Sequence, residues 1–588
     1  MEEKYTWNLT DIFRTEKDFE NEIKSLHSIL EDIKTYQGKL DKSSNYIFEC
    51  YKKYEQALEH YEKIYSYGML KFHLDMADSE NIKLFKKCEA IGAEFEKIVS
   101  FITPEITNIN TDILLKYLNE NADLKRYERL IKEIIKNKAH ILSKEEENIL
   151  ANYTEIFNSS ENTYDILTNT EFKFGNIKDE NGKETEMTDS NYTIFLKSRN
   201  EDVRKQAFNL MYKKYKEFLN TIGELYISRV KQDTITARLR KYSSSLEKAV
   251  ENDDSNLKVY NSLIDAVHSE MKANHEFIRL KKELLKLNEM HIYDVYVNPI
   301  ETESDDISFD EAKDEVLKAL EVLGEEYINK LKEAFENRWI DVYPNSNKRG
   351  GAYSMGVYGV HPFVLDNFVG KKRDVSTIAH ELGHSMHSYY SNKSQNVIDA
   401  NYTIMIAEIA STTNEILLAK YQINNEKDKN KKAEIIYELL EMIRATLFRQ
   451  AMFAEFEKNV HEKIEEGMVL SSSDLSEIYY KLNEEYFGKD CVIDDEIKYE
   501  WARIPHFYTP FYVYKYATGV SAAIIIASNI LSKKDRYVEK YINMLKQGCT
   551  KKAIELLKMV DVDLEDINTY KGAIEFYREL TNELKELI

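Results

Sequence analysis

His380-Glu381-Leu382-Gly383-His384 sets two imidazoles four residues apart, with a carboxylate beside the first. The segment reads as helix, and helical residues i and i+4 share a face with Cβ atoms about 5–6 Å apart. Imidazoles placed that way can grip one metal ion, and Zn²⁺ takes His nitrogen at about 2.0–2.1 Å. Glu381 then stands within reach of a coordinated water. This is the minimal kit for metal-assisted hydrolysis, in which a carboxylate takes a proton from water acidified by zinc. A pentad this short also arises by accident in a chain with 13 His, so its surroundings must support it.

They do. Asp374 and Ser376 are suitable caps for a helix starting near Val375, and Glu381 is the only charge in 375–384 of a chain that is 31% charged. So neutral a helix belongs in a core or a cleft wall rather than on an open surface. Downstream, Ile404-Met405-Ile406-Ala407-Glu408-Ile409-Ala410 is an apolar run broken by one carboxylate. A buried carboxylate needs a cation partner, and a catalytic zinc with two His ligands still lacks its third protein ligand. Glu408 fits that vacancy. The rival is His387, which an unbroken helix carries a turn or more past the metal; the Gly that bends the chain back in metzincin-type sites is missing, so His387 reads as structural or as a support behind the ligands.

The elements that must hold these groups are mostly helices. Only 6 Pro and 18 Gly punctuate 588 residues, a length that suits two to four domains. Ile23, Leu26, Leu30 and Ile33 repeat at helical spacing, as do Leu58, Tyr61 and Ile64. Two places break the pattern. Phe172-Lys173-Phe174-Gly175-Asn176-Ile177 alternates and precedes Asn181-Gly182, a hairpin signal that marks the end of an N-terminal helical region, 1–190, before a catalytic region, 191–588. In 350–359, Ala352, Tyr353, Met355, Val357 and Tyr358 stand among four glycines and read as one or two strands. Just ahead of a zinc helix, such a strand is a candidate edge on which an extended peptide pairs by main-chain hydrogen bonds.

A formal net charge of −22 with no basic stripe argues against nucleic acid as a partner. Cys50, Cys88, Cys491 and Cys549 have neither metal-like nor disulfide-like spacing. The start, Met-Glu-Glu-Lys, shows no signal peptide, and the longest apolar stretch, 520–531, is too short to span a bilayer. A reduced, cytoplasmic protein without a membrane partner is the expectation.

The pentad followed by Glu408 in an A-E-I-A-S-T-T-N-E context resembles the thimet oligopeptidase superfamily, in particular its oligoendopeptidase F branch. Trp7-Asn8-Leu9, Lys348-Arg349-Gly350-Gly351-Ala352-Tyr353-Ser354, Ile504-Pro505-His506-Phe507-Tyr508 and Phe511-Tyr512-Val513-Tyr514-Lys515-Tyr516-Ala517-Thr518-Gly519 match in order and spacing over nearly the whole chain. The resemblance implies an all-α fold with a small β element beside the zinc helix. In it, an N-terminal helical region closes over a helical zincin catalytic region to form a chamber for short unstructured peptides.

It also implies one Zn²⁺ per chain on His380, His384 and Glu408, Glu381 as general base, and a His and a Tyr donating to the oxyanion. His506 and Tyr514 match these best. Tyr508 and Tyr512 compete for the tyrosine role and, with Gly350, Gly351, Ala352 and Tyr353, are candidates for substrate binding. Thermolysin-type sites carry an Asp four residues after the ligand Glu; here that position is Thr412, and Glu415 is the substitute candidate. The implied activity is a zinc endopeptidase acting on oligopeptides. The alternatives are a zinc carboxypeptidase using Arg349 or Arg503 for the terminal carboxylate, and a non-catalytic helical peptide-binding protein.

Overall fold

The computed structural model describes residues 2–300, 302 and 306–588. Helix dominates, as the composition predicts, and the described strands are five short ones. Near the N-terminus α1 (Glu16–Lys34) starts at a capping box in which Thr15 and Asp18 satisfy each other's backbone N–H groups. Its apolar stripe is the predicted one: Ile23, Leu26, Leu30 and Ile33 are all buried. Each such side chain contributes about 1.5–3 kcal/mol of hydrophobic stabilisation. The stripe packs on α2 (Ser44–Leu74) and α3 (Ser79–Val99) around one apolar core that includes Ile47, Ile64 and Phe95.

The predicted hairpin is present. β1 (Asn176–Lys178) pairs antiparallel with β2 (Glu184–Glu186), and Gly182 supplies the positive φ of the turn. A second sheet has the order β3 (Ile340–Asp341), β5 (Phe363–Leu365), β4 (Tyr353–Met355). β5 runs parallel to β3 and antiparallel to β4, with Tyr353 opposite Leu365 and Met355 opposite Phe363. β4 is therefore an edge strand, where the glycine-rich segment suggested one. Trp7 and Leu70 pack with Val357, Phe363 and Leu365 behind it. The backbone from Tyr5 to Asn8 bonds to Val342 and Arg338, which explains why a Trp-Asn-Leu motif so far from the pentad belongs to the same architecture.

Two helices follow the sheet. α4 (Lys372–Ser394) begins three residues before the expected start, because Asp374 acts from inside the first turn, accepting the N–H groups of Val369 and Lys371 at 2.9 Å. α5 is Ile404–Asn425.

The chain forms two compact units, neither of them continuous in sequence. The first comprises Met1–Ala139, Ser304–Leu418 and Ile526–Asp561; the second comprises His140–Glu303, Ala419–Ile525 and Val562–Ile588. The expected boundary at 190 falls inside the second unit. The hairpin there punctuates the chain locally, whereas the units are defined by contacts between distant segments.

Candidate metal centre and active site

α4 and α5, both in the first unit at this point, meet backbone to backbone. A Cβ on Gly383 would lie 2.6 Å from Ser411 Cα and 2.9 Å from the Ala410 carbonyl oxygen, so only glycine allows this approach. Asn414 Nδ2 donates to the Ala379 carbonyl at 3.1 Å across the same seam, and Tyr327 packs its hydroxyl against Asn414. The close approach brings the three predicted ligands together. His380 Nε2 and His384 Nε2 are 3.1 Å apart, Glu408 Oε2 is 3.7 Å from the former and Glu408 Oε1 is 4.0 Å from the latter. Among the described residues this is the group of His, Cys, Asp and Glu side chains disposed to hold a metal.

The electrostatics fit a cation. Two imidazole nitrogens face each other, which suits neutral rings sharing a positive ion rather than two imidazoliums. Burial and His380 depress the His384 pKa to about 3. Burial opposes charge on His380, but Glu415, 3.2 Å from its Nδ1, together with Glu381 and Glu408 raises its pKa. Ser376 donates to the same Glu415 oxygen at 3.5 Å. The Glu415 carboxylate therefore lies on the Nδ1 side of His380, where a carboxylate was sought at Thr412, although Nδ1 makes no well-aligned hydrogen bond among the described residues. Burial raises Glu408 as well.

Glu381 is 7% exposed, and its Oε2 is buried without a hydrogen-bond partner among the described residues. Burial pushes its pKa up to about 7, with Asp366, Glu408 and Glu415 adding to the shift and His380 opposing it. An orphaned carboxylate beside a two-histidine, one-glutamate cluster is what the chemistry of the donor set needs. His387 is fully buried, stacked at 3.6 Å on Tyr402, and outside the cluster.

β4 lies against the ligand helix. Ser354 and Ser385 share a 2.8 Å hydroxyl contact, and a Cβ on Gly356 would lie 2.7 Å from Ser388 Cβ. Gly350 and Gly351 are exposed, Gly351 at φ +80°, and Ala352 and Tyr353 are half-buried. Lys348 is a pin under this loop: its ammonium is buried and bonded to Asp341 Oδ1 at 2.6 Å and to two backbone carbonyls.

The family model described as Peptidase family M3 matches residues 194–576, and the one described as Oligopeptidase F matches residues 105–174. The chain belongs to peptidase family M3. The M3 chain is 40% identical to Oligopeptidase PepF of Bacillus subtilis strain 168 over 583 residues, covering 99% of this chain and 87% of that one. A solved structure from Chlamydophila abortus superposes with a TM-score of 0.95 at 31% identity, covering 100% and 99% of the two chains. The oligoendopeptidase F of Enterococcus faecium gives a TM-score of 0.73, also at 31%, covering 97% and 99%. This M3 peptidase is a metalloendopeptidase of the oligoendopeptidase F type.

The remaining predicted site residues of the peptidase lie in the second unit. His506 is exposed on a turn, 6.0 Å ring to ring from half-buried Tyr512 and 6.1 Å from Tyr516, which sequence reasoning did not single out among 41 tyrosines. Tyr514, the tyrosine nominated as oxyanion donor, is fully buried, and its hydroxyl donates to Asp253 Oδ2 at 3.2 Å. On a helix that begins at Tyr514, that side chain faces the core, and the hydroxyl is already committed. Tyr508 is 2% exposed, stacked on Tyr164 at 4.5 Å.

Proposed function

We propose that this M3 peptidase hydrolyses internal bonds of short unstructured peptides, with one Zn²⁺ held by His380, His384 and Glu408 and with Glu381 as general base. The observation that carries the reading is the buried, unpartnered Glu381 carboxylate next to the three converging ligand atoms. When bound, zinc supplies Lewis acidity that polarises a carbonyl and brings the pKa of water toward neutrality. Glu381 takes the proton of the attacking water and returns it to the leaving amine; a carboxylate poised near pH 7 is suited to both transfers. The dry setting of that carboxylate also strengthens its interaction with the reacting groups.

β4 holds the peptide as an added strand, with Gly350, Gly351, Ala352 and Tyr353 leading into it. For the carbonyl oxygen as it gains charge we assign His506 with Tyr512. His506 is exposed and Tyr512 half-buried, whereas the hydroxyl of Tyr514 is bonded to Asp253 and that of Tyr508 is buried. Partial desolvation by its neighbours lowers the pKa of the otherwise exposed His506, so at neutral pH the ring is a neutral N–H donor. All four cysteines are unpaired, which supports a reducing, cytoplasmic setting.

Metal content and cleavage of an internally quenched peptide blocked at both ends test the reading on wild type and Glu381→Ala. We expect one zinc per chain in both proteins and cleavage by wild type alone. Protein that neither contains zinc nor gains activity on adding it overturns the proposal.

A further inference from the structure

Three side chains of the first unit meet where α2 ends against the loop before β4. His73, 4% exposed, is 2.8 Å through Nδ1 from the Tyr353 hydroxyl and 3.1 Å through Nε2 from Arg349 Nη1. The main chain repeats the link, since Arg349 N–H donates to the His73 carbonyl at 2.9 Å. A guanidinium can only donate, so Nε2 must be the bare nitrogen and Nδ1 must carry the proton. Burial and the neighbouring Arg349 hold His73 neutral, with a pKa depressed to about 4. Nδ1–H therefore donates to the Tyr353 oxygen, and the Tyr353 O–H proton is left to point elsewhere.

One buried imidazole thus aims two donors at the start of the edge strand: a phenol O–H and an exposed guanidinium. Asn367 Nδ2 fixes the backbone between them, donating to the Arg349 carbonyl at 2.9 Å and the Gly351 carbonyl at 2.6 Å. In a chain of net charge −22, Arg349 has no carboxylate partner among the described residues. The other arginine nominated from sequence differs: Arg503 is bonded to Asp189 at 2.8 Å and lies over the Tyr192 ring.

Resting on the peptidase reading above, we infer that Arg349 and Tyr353, positioned by His73, form a carboxylate-binding subsite for the C-terminal side of the peptide. Direction follows from the strand. A peptide pairing antiparallel to β4, the more stable mode, runs its C-terminal half toward residue 349. Distance follows too. Ser354 touches Ser385, the residue after ligand His384, and Arg349 lies five residues upstream, at most about 16 Å away along an extended chain. The carboxylate must then fall within about five residues after the scissile bond. It comes either from the free C-terminus or from an Asp or Glu side chain, and guanidinium forks suit both.

The test is kcat/KM on matched quenched peptides: free acid against C-terminal amide at two, four and eight residues past the scissile bond, and Glu against Gln at the third. Wild type should favour the carboxylate about tenfold through KM at the two short lengths and not at the longest. Arg349→Gln should erase that ratio while cleaving the amides as wild type does, and Arg349→Lys should keep part of it. His73→Leu should lower the ratio without altering kcat on amides, and His73→Gln should restore it. A free-acid preference assigns the C-terminus as the source, and a Glu preference assigns the side chain. Equal wild-type rates on all pairs, or an Arg349→Gln protein equally impaired on acid and amide, overturn the inference. Anisotropy binding of dye-labelled acid and amide peptides to Glu381→Gln protein reads the same ratio without turnover, so failure of cleavage chemistry and failure of the subsite are distinguished.

Discussion

Gly383→Ala separates two opposing effects by size. An added methyl in a helix interior raises intrinsic helix stability by about 1 kcal/mol. At this position it also meets Ser411 Cα at 2.6 Å, where ordinary contact begins at 3.4 Å. The atoms met are backbone, so no side chain can turn aside; α5 must retreat by about 0.8 Å or the turn carrying His380 and His384 must tilt. Overpacking of this kind costs about 1–3 kcal/mol, so the net loss of stability should be about 0–2 kcal/mol. The larger consequence is at the metal centre. Glu408 rides on α5, three residues before Ser411, and ligand positions must hold within about 0.2 Å. Zinc affinity should therefore fall by about tenfold or more while the fold survives. The assay pairs denaturant unfolding of the metal-free protein with competition for zinc against a fluorescent chelator. A Gly383→Ala protein about 1 kcal/mol more stable than wild type, with unchanged zinc affinity, would falsify the claim that this glycine sets the distance between the two ligand-bearing helices.

Glu415→Ala removes the carboxylate on His380 Nδ1 and should weaken zinc binding by about 10–100-fold, read in the same competition assay; unchanged affinity would mean that packing alone orients the ring. Arg204→Met strands Asp294, which is fully buried and paired with Arg204 at 2.6 Å, and should cost about 3–5 kcal/mol in chemical denaturation. For Glu62, burial raises the folded pKa to about 7 from an ordinary 4.5, against the pull of the Tyr358 N–H it accepts. The unfolded chain therefore releases this proton first, stability falls as pH rises from about 4.5, and the cost is complete above about 7. Glu62→Gln should lose that slope and be more stable than wild type at pH 8 but not at pH 4; parallel stability curves for the two proteins would count against it.

The convergence of His380, His384 and Glu408 was legible because its information is local. An i, i+4 pair lies on one helical face wherever the helix goes, and an apolar run broken by one carboxylate declares a buried charge seeking a partner. The stripe of α1, the hairpin at 176–186 and the edge strand at 353–355 were legible for the same reason: period and turn chemistry are written in neighbouring residues. What the sequence hid depends on distant segments meeting. Glu415 was nominated from its place after Glu408, but its contact with His380 Nδ1 depends on a helix seam set by Gly383, of which the pentad gives no sign. His73 is the last residue but one of a 31-residue helix and meets Tyr353 across 280 residues, so no spacing could have nominated it. Tyr514 and Tyr512 look alike as letters; only the direction each faces on or before the helix starting at 514 separates a fully buried side chain from a half-buried one.

The interleaving of the units bears on when the enzyme comes into being. The C-terminal end of α4 is braced by a segment far downstream: Gln395 Nε2 donates to the Lys546 carbonyl at 2.7 Å, and the Cys549 N–H bonds to the Asp399 carbonyl at 2.9 Å. On a ribosome adding about 5–20 residues per second, roughly 7–30 s pass between the emergence of Glu408 and that of Cys549. Throughout that interval the nascent chain carries all three proposed ligands but not the segment that braces the end of α4. For a peptidase born in this order we expect cleavage of a quenched peptide to begin only after Cys549 has left the ribosome, which stalled chains ending before and after that residue would test.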